Sequence, residues 1–208
     1  MTRKPVPHFA LRIVLAVTAA AGLLAAGAFA QQQGAASHIR RVVTALDSTG
    51  KAVILADSEM PLPSMRSPNP AGELWVTDKS PPDLTSVDRV ATTKIGFMPP
   101  RNGNVLRIVD FVPMTPAVES MDMNTMMKVV GDGAPAKGRP PKHPMMHRTR
   151  TLDYAIILSG EIDLMLDEQQ VHLKAGDVVI QQATNHAWIN HGKDVCRIAF
   201  VLMDSQEP

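Results

Sequence analysis

The residues with the types and spacing to do chemistry lie in the C-terminal third of the chain. His147, Thr149 and Asp153 share parity, so on an extended strand their side chains point to one face. His186 comes 33 residues after Asp153, with Trp188 and Asn190 at its own parity. Two imidazoles and one carboxylate meeting in a dry barrel form the facial set that takes Fe(II) and also suits Mn, Ni or Zn. Without a metal, the same groups make a hydrogen-bonded polar cluster in the barrel mouth. In either case Thr149, Trp188 and Asn190 are expected to shape the pocket. Of the other histidines, His143 is separated from His147 by Pro144, which favours an extended path over a fold-back. His172 is expected on an exposed strand face and His191 in a solvated turn.

Methionine is the second unusual feature, with 13 in 208 residues. Met121, Met123, Met126 and Met127 fall in one expected helix, 117–130, and Met145 and Met146 precede His147. Thioethers are soft ligands for Cu(I), but they also fill irregular cores and adaptable pockets. The spacing 123, 126, 127 makes a single apolar stripe, which favours packing. This helix is expected to cover the barrel mouth, with Met146 lining the entrance. Cys196, the sole cysteine, alternates with Ile198, Phe200 and Leu202 and reads as core. No Gly-rich phosphate loop, CxxC pair or Ser-His-Asp order signature is present, so the sequence offers nothing for nucleotide binding or for that type of hydrolysis.

Proline distribution shows which elements must position these groups. Ten prolines lie between Pro61 and Pro116, four more between Pro135 and Pro144, and then none until Pro208. A continuous sheet therefore has room after 144. Strands are expected at 154–158, 161–166, 171–174, 178–182, 187–190 and 195–203, separated by turns such as Ser159-Gly160 and Ala175-Gly176-Asp177. Upstream, 39–44, 52–55, 73–77 and 105–112 read as further strands, with loops at 58–71 and 79–88. Short strands and frequent turns mean an all-β sandwich or small barrel.

Residues 1–30 begin with Arg3 and Lys4, continue through an uncharged run from 13 to 27 and end in Ala28-Phe29-Ala30. That pattern is a secretory signal peptide, with cleavage expected after Ala30 and a periplasmic or secreted product. The apolar run is short for a membrane span, so no stable span is expected after cleavage. Loss of Arg3, Lys4 and Arg12 lowers the formal charge of +1 by three, to −2, and nucleic acid is not expected as a partner.

The spacings resemble the cupin superfamily. Its first motif runs H-x-H, three or four residues, E, six residues, G. Here it reads His147-x-Thr149, three residues, Asp153, six residues, Gly160. The second motif runs G, five residues, P-x-G-x-x-H-x-x-x-N, and here reads Gly176, four residues, Gln181-x-Ala183-x-x-His186-x-x-x-Asn190. The resemblance covers about 143–203. It implies a jelly-roll barrel of the double-stranded β-helix type, making 31–208 one domain with an N-terminal strand extension (31–135) and one inserted helix. Family ligand positions fall on His147, Thr149, Asp153 and His186, so the resemblance implies one divalent metal. It further implies a small-molecule substrate in an oxygenase, isomerase or decarboxylase type of reaction, or else a non-catalytic binding role. Pairing of two copies through the strand at 39–44 is expected as well.

Overall fold

The computed structural model describes residues 37–64, 67–84, 87–129 and 137–207. The expected leader and its cleavage point lie outside these residues. Among the described residues no helix is long and apolar enough to cross a membrane.

Among the described residues, ten strands and two short helices follow in the order β1 (His38–Leu46), β2 (Ala52–Pro61), β3 (Ala71–Thr77), β4 (Asn104–Phe111), α1 (Pro116–Glu119), α2 (Met123–Val129), β5 (Thr151–Ser159), β6 (Glu161–Met165), β7 (Gln170–Lys174), β8 (Val178–Gln182), β9 (Ala187–Ile189) and β10 (Cys196–Asp204). An antiparallel five-stranded sheet, β3-β4-β10-β5-β8, faces a three-stranded sheet, β7-β6-β9, and β1-β2 form a separate hairpin. Alternation builds the core between the sheets. Ala155, Ile157, Ile198, Phe200 and Leu202 point inward from the larger sheet and meet Ile162, Leu164, Leu173 and Trp188 from the smaller. Cys196 is fully buried there, and burial raises its thiol pKa to about 11, so it is an inert core residue. The fold is the all-β jelly roll that the family resemblance implied.

Three local expectations change. The single helix at 117–130 is two helices, because polar side chains cap both. Thr115 accepts from the Val118 amide and starts α1, while Asp122 accepts from the Thr125 amide and hydroxyl and starts α2. Residue 130 lies outside the described residues. Second, β2 runs to Pro61, into the expected loop at 58–71, because Ile39↔Met60 and Arg40↔Glu59 continue the pairing with β1. Third, His191 is not merely solvated. It and His172 each donate Nδ1–H to Asp163 at 2.9 Å, joining β7 and the turn after β9 to β6.

The hairpin is held on the outer face of the larger sheet. Ile39 and Met60 pack against Leu62, Leu74, Ile108 and Ala199. At its base Arg197 grips the buried Asp110 through both carboxylate oxygens, at 2.6 and 2.7 Å, and Ser37 bonds to the same carboxylate. Removing the guanidinium leaves a buried charge without its counter-ion. Arg197→Ala is therefore expected to cost about 3 kcal/mol in urea unfolding. A loss under about 1 kcal/mol would mean the apolar contacts alone seat the hairpin.

Candidate functional site: a carboxylate and two imidazoles in an aromatic cavity

A cavity of about 200 Å³ opens between the sheets. Its polar floor is positioned by one long-range pairing. His147 and His186 form an isolated antiparallel bridge, with amide-to-carbonyl distances of 2.9 and 3.0 Å in the two directions. Directly opposed residues put their side chains on the same face, and the two rings stand 4.3 Å apart. Each imidazole is oriented by its own chain. His147 donates Nδ1–H to the Met145 carbonyl at 3.1 Å, and His186 donates Nδ1–H to the Thr184 carbonyl at 3.0 Å. Both Nε2 atoms are consequently lone-pair acceptors. Burial lowers the pKa of both rings, and the neighbouring His147 lowers that of His186 further, so both are neutral near pH 7.

Asp153 reaches the same cavity from β5 and is buried. Its register partner on β8 is Gln181, whose Nε2 donates to Asp153 Oδ2 at 2.9 Å and approaches His186 Nε2 at 3.3 Å. The reverse amide orientation would set a carbonyl oxygen against the His186 lone pair, so the observed one is the one that chemistry favours. Asp153 Oδ1 and Gln181 Oε1 are buried without a hydrogen-bond partner among the described residues. Burial raises the Asp153 carboxyl to about 6, against the pull of Thr151, Gln181 and Arg107.

The set of three expected metal ligands is not assembled. His147, Asp153 and His186 line one cavity, yet among the described residues no three His, Cys, Asp or Glu side chains cluster so as to hold a metal ion. Gln181 is the reason: its amide stands between Asp153 and His186 and covers the lone pair a metal would take. Thr149 lines the cavity, but its hydroxyl is tied to that of Thr151 at 2.6 Å. As arranged, these residues do not fit a three-ligand centre.

The expected pocket residues divide. Thr149 and Trp188 are on the cavity wall. Asn190 is a turn residue instead: its Nδ2 donates to the Phe111 and Asp194 carbonyls, and its Oδ1 accepts from the Gly192 amide. Met145 lines the cavity in place of Met146, which packs with Val118, Ala187 and Ile189. Met121 and Met123 also face the cavity, in keeping with a covering role for this Met-rich segment. Several wall residues carried no signal in the sequence, among them Phe97, Phe111, Phe200 and Arg107. Arg107 pairs with Glu73 at 2.9 Å and donates to the Gly96 and Phe97 carbonyls, which holds that loop against the cavity. Glu73 and Arg107 fall within the expected strands 73–77 and 105–112, which do not say which face is buried.

Comparison with known proteins gives the class. Residues 134–202 match the family described as "Cupin domain". That stretch is a third of the chain, and there the likeness to a cupin domain agrees with the jelly-roll architecture. A phomopsin biosynthesis cluster protein D of Diaporthe leptostromiformis is 34% identical over 140 residues, covering 64% of this chain and 59% of that one. The chain thus spans under two thirds of that relative's length. A cupin-domain-containing oxidoreductase, srdD, of Neurospora crassa is 29% identical over 179 residues, covering 82% of this chain and 77% of that one. Among solved structures, the cupin domain of Schizosaccharomyces pombe Cnp3 is 13% identical with a TM-score of 0.40, covering 80% of this chain and 88% of that one.

Two outcomes are expected from this geometry. A carboxyl raised from 3.8 to about 6 favours the protonated folded state, so wild-type stability falls as pH rises through that window. That loss is about 3 kcal/mol, and Asp153→Asn should escape it. Denaturant melts at about pH 4 and pH 8 check this; equal pH slopes for the two proteins would mean Asp153 is not held neutral. Ala183, in the turn leading to His186, has φ of +52°, a region that favours glycine. Ala183→Gly should gain about 1 kcal/mol, and a loss in the same melts would show that the turn is not strained.

Proposed function

We propose that the chain is an enzyme that binds a small, largely apolar organic molecule in the barrel and exchanges a proton with it through Asp153. The carrying observation is Asp153 Oδ1, a buried carboxylate oxygen with no hydrogen-bond partner among the described residues, on the wall of a mostly apolar cavity. A ligand O–H or an acidic C–H completes its hydrogen bonding. With a pKa of about 6, Asp153 both accepts and returns a proton near neutral pH. The two imidazoles act as neutral acceptors that orient the ligand, and Gln181 holds the carboxylate in place. The apolar walls keep water away from the proton transfer. The relatives named as oxidoreductases and biosynthetic-cluster proteins support an enzyme working on a small organic molecule. Export after cleavage at Ala30, and pairing of two copies through the exposed hairpin, remain part of this reading. The leader-like residues 1–30 support the first, and the exposed Val42, Leu46 and Ile54 support the second.

A second reading, a metal-dependent enzyme, is favoured by one observation. Both histidines give Nδ1–H to a backbone carbonyl, which is how metal-bound imidazoles are commonly oriented. His147 and His186 would be its nitrogen donors, with Asp153 as the carboxylate.

Proton transfer is tested by incubating the protein with a panel of ketones and hydroxylated compounds in D₂O and reading deuterium uptake at carbon by mass spectrometry. Asp153→Asn should lower uptake by about 100-fold or more. Uptake unchanged in that variant would overturn the role of Asp153, and ligand binding without uptake would leave a non-catalytic binder. Metal analysis of protein purified without chelator separates the second reading. One metal per chain, lost in His186→Ala, would replace the proposal with the metal-dependent one.

A further inference from the structure

We infer that the ligand of this cavity is a neutral molecule built on a single aromatic ring and bearing a hydroxyl group. This rests on the reading of the cavity as a small-molecule site and adds the class of molecule.

Aromatic residues are scarce in this chain: five Phe, two Trp and one Tyr. Yet four of them, Phe97, Phe111, Trp188 and Phe200, line the one cavity that holds Asp153. Three of these four contact one another. Trp188 stands edge-on to Phe200 with centroids 5.6 Å apart, and Phe111 lies 6.2 Å from Trp188 and 6.3 Å from Phe200. His186 continues the series, edge-on to Trp188 at 6.3 Å, and His147 follows it. The wall is therefore an unbroken run of ring faces and edges that leads to the polar floor. Met121, Met123 and Met145 supply thioethers on the covering side, and sulfur packs well against ring edges. A planar ring meets favourable edge-to-face geometry here, while a puckered aliphatic ring of the same size meets only area burial.

Size and charge narrow the class. The volume of about 200 Å³ compares with ~150 Å³ for an engineered apolar cavity that takes benzene, so one ring with short substituents fits. Among the described residues Arg107 is the only cation on the wall, and it is paired with Glu73, also on the wall, so the described lining offers no net positive charge to a carboxylate ligand. At the floor, Asp153 Oδ1 and the His147 Nε2 are acceptors, and acceptors require a donor. A hydroxyl on the ring or one carbon from it supplies one.

Ligand-observed NMR titration of the full mature chain tests this with phenol, cyclohexanol, anisole and benzoate. Phenol should bind at least about fivefold tighter than cyclohexanol, and tighter than anisole, which lacks the donor, and benzoate, which carries the charge. Phe200→Leu should remove the preference for phenol while cyclohexanol binding persists; if that variant does not fold, Phe111→Leu serves the same purpose. Equal binding of phenol and cyclohexanol overturns the aromatic assignment and leaves the proton-transfer reading standing. Equal binding of phenol and anisole overturns the hydroxyl. Binding of none of the four overturns this inference together with the reading beneath it.

Discussion

The structure depends on one pair of backbone hydrogen bonds, those between His147 and His186. Neither residue belongs to a regular strand, yet their mutual bridge ties the approach to β5 to the approach to β9, elements of opposite sheets. The two imidazoles of the cavity floor take their place from it. Once the bridge forms, both imidazoles lie on one side and each finds a carbonyl two residues back for its Nδ1–H. Asp153 then lies opposite on β5, the strand that begins four residues after His147. The cost is a group of buried polar atoms in an apolar barrel, offset only where hydrogen bonds close. Two oxygens do not close, and one of them faces the cavity.

Much of this was legible in the sequence, for physical reasons. Spacing in the barrel half carried the fold because a strand has a two-residue period and the turns Ser159-Gly160 and Ala175-Gly176 punctuate it. Both Gly160 and Gly176 take positive φ. The convergence of His147, Asp153 and His186 on one cavity followed from the same parity argument. The N-terminal half read less well. A helix interrupted by its own capping residues, Ser120 and Asp122, looks continuous to a periodicity argument. The extent of β2 depends on pairing with β1, a relation that no local pattern contains. The aromatic wall was hidden for a related reason: Phe97, Phe111, Trp188 and Phe200 come from separate segments, and only the closed barrel brings them together.

Where parity misled, it did so by treating a shared direction as a shared function. Asn190 has the parity of His186 and Trp188 but is consumed by the turn that follows β9, where its amide satisfies two carbonyls. Met146 adjoins His147 but faces the packed side, because the chain turns at His143–Met146 and brings Met145 to the cavity instead. A side chain on the correct face still has to be free of other obligations before it can serve a ligand.

The departures from the family motif are better explained together than singly. A threonine at 149 removes an imidazole and closes on Thr151. An aspartate at 153 is one methylene shorter than glutamate. The gap this opens is filled by Gln181, standing where the motif has proline and reaching both Asp153 and His186. Proline could not do this, since it has no side-chain donor. Together the three leave two neutral imidazoles beside a hydrogen-bonded Asp153–Gln181 pair, each member of which keeps one oxygen unpartnered among the described residues. The described floor thus sets an unpartnered carboxylate oxygen beside an aromatic wall.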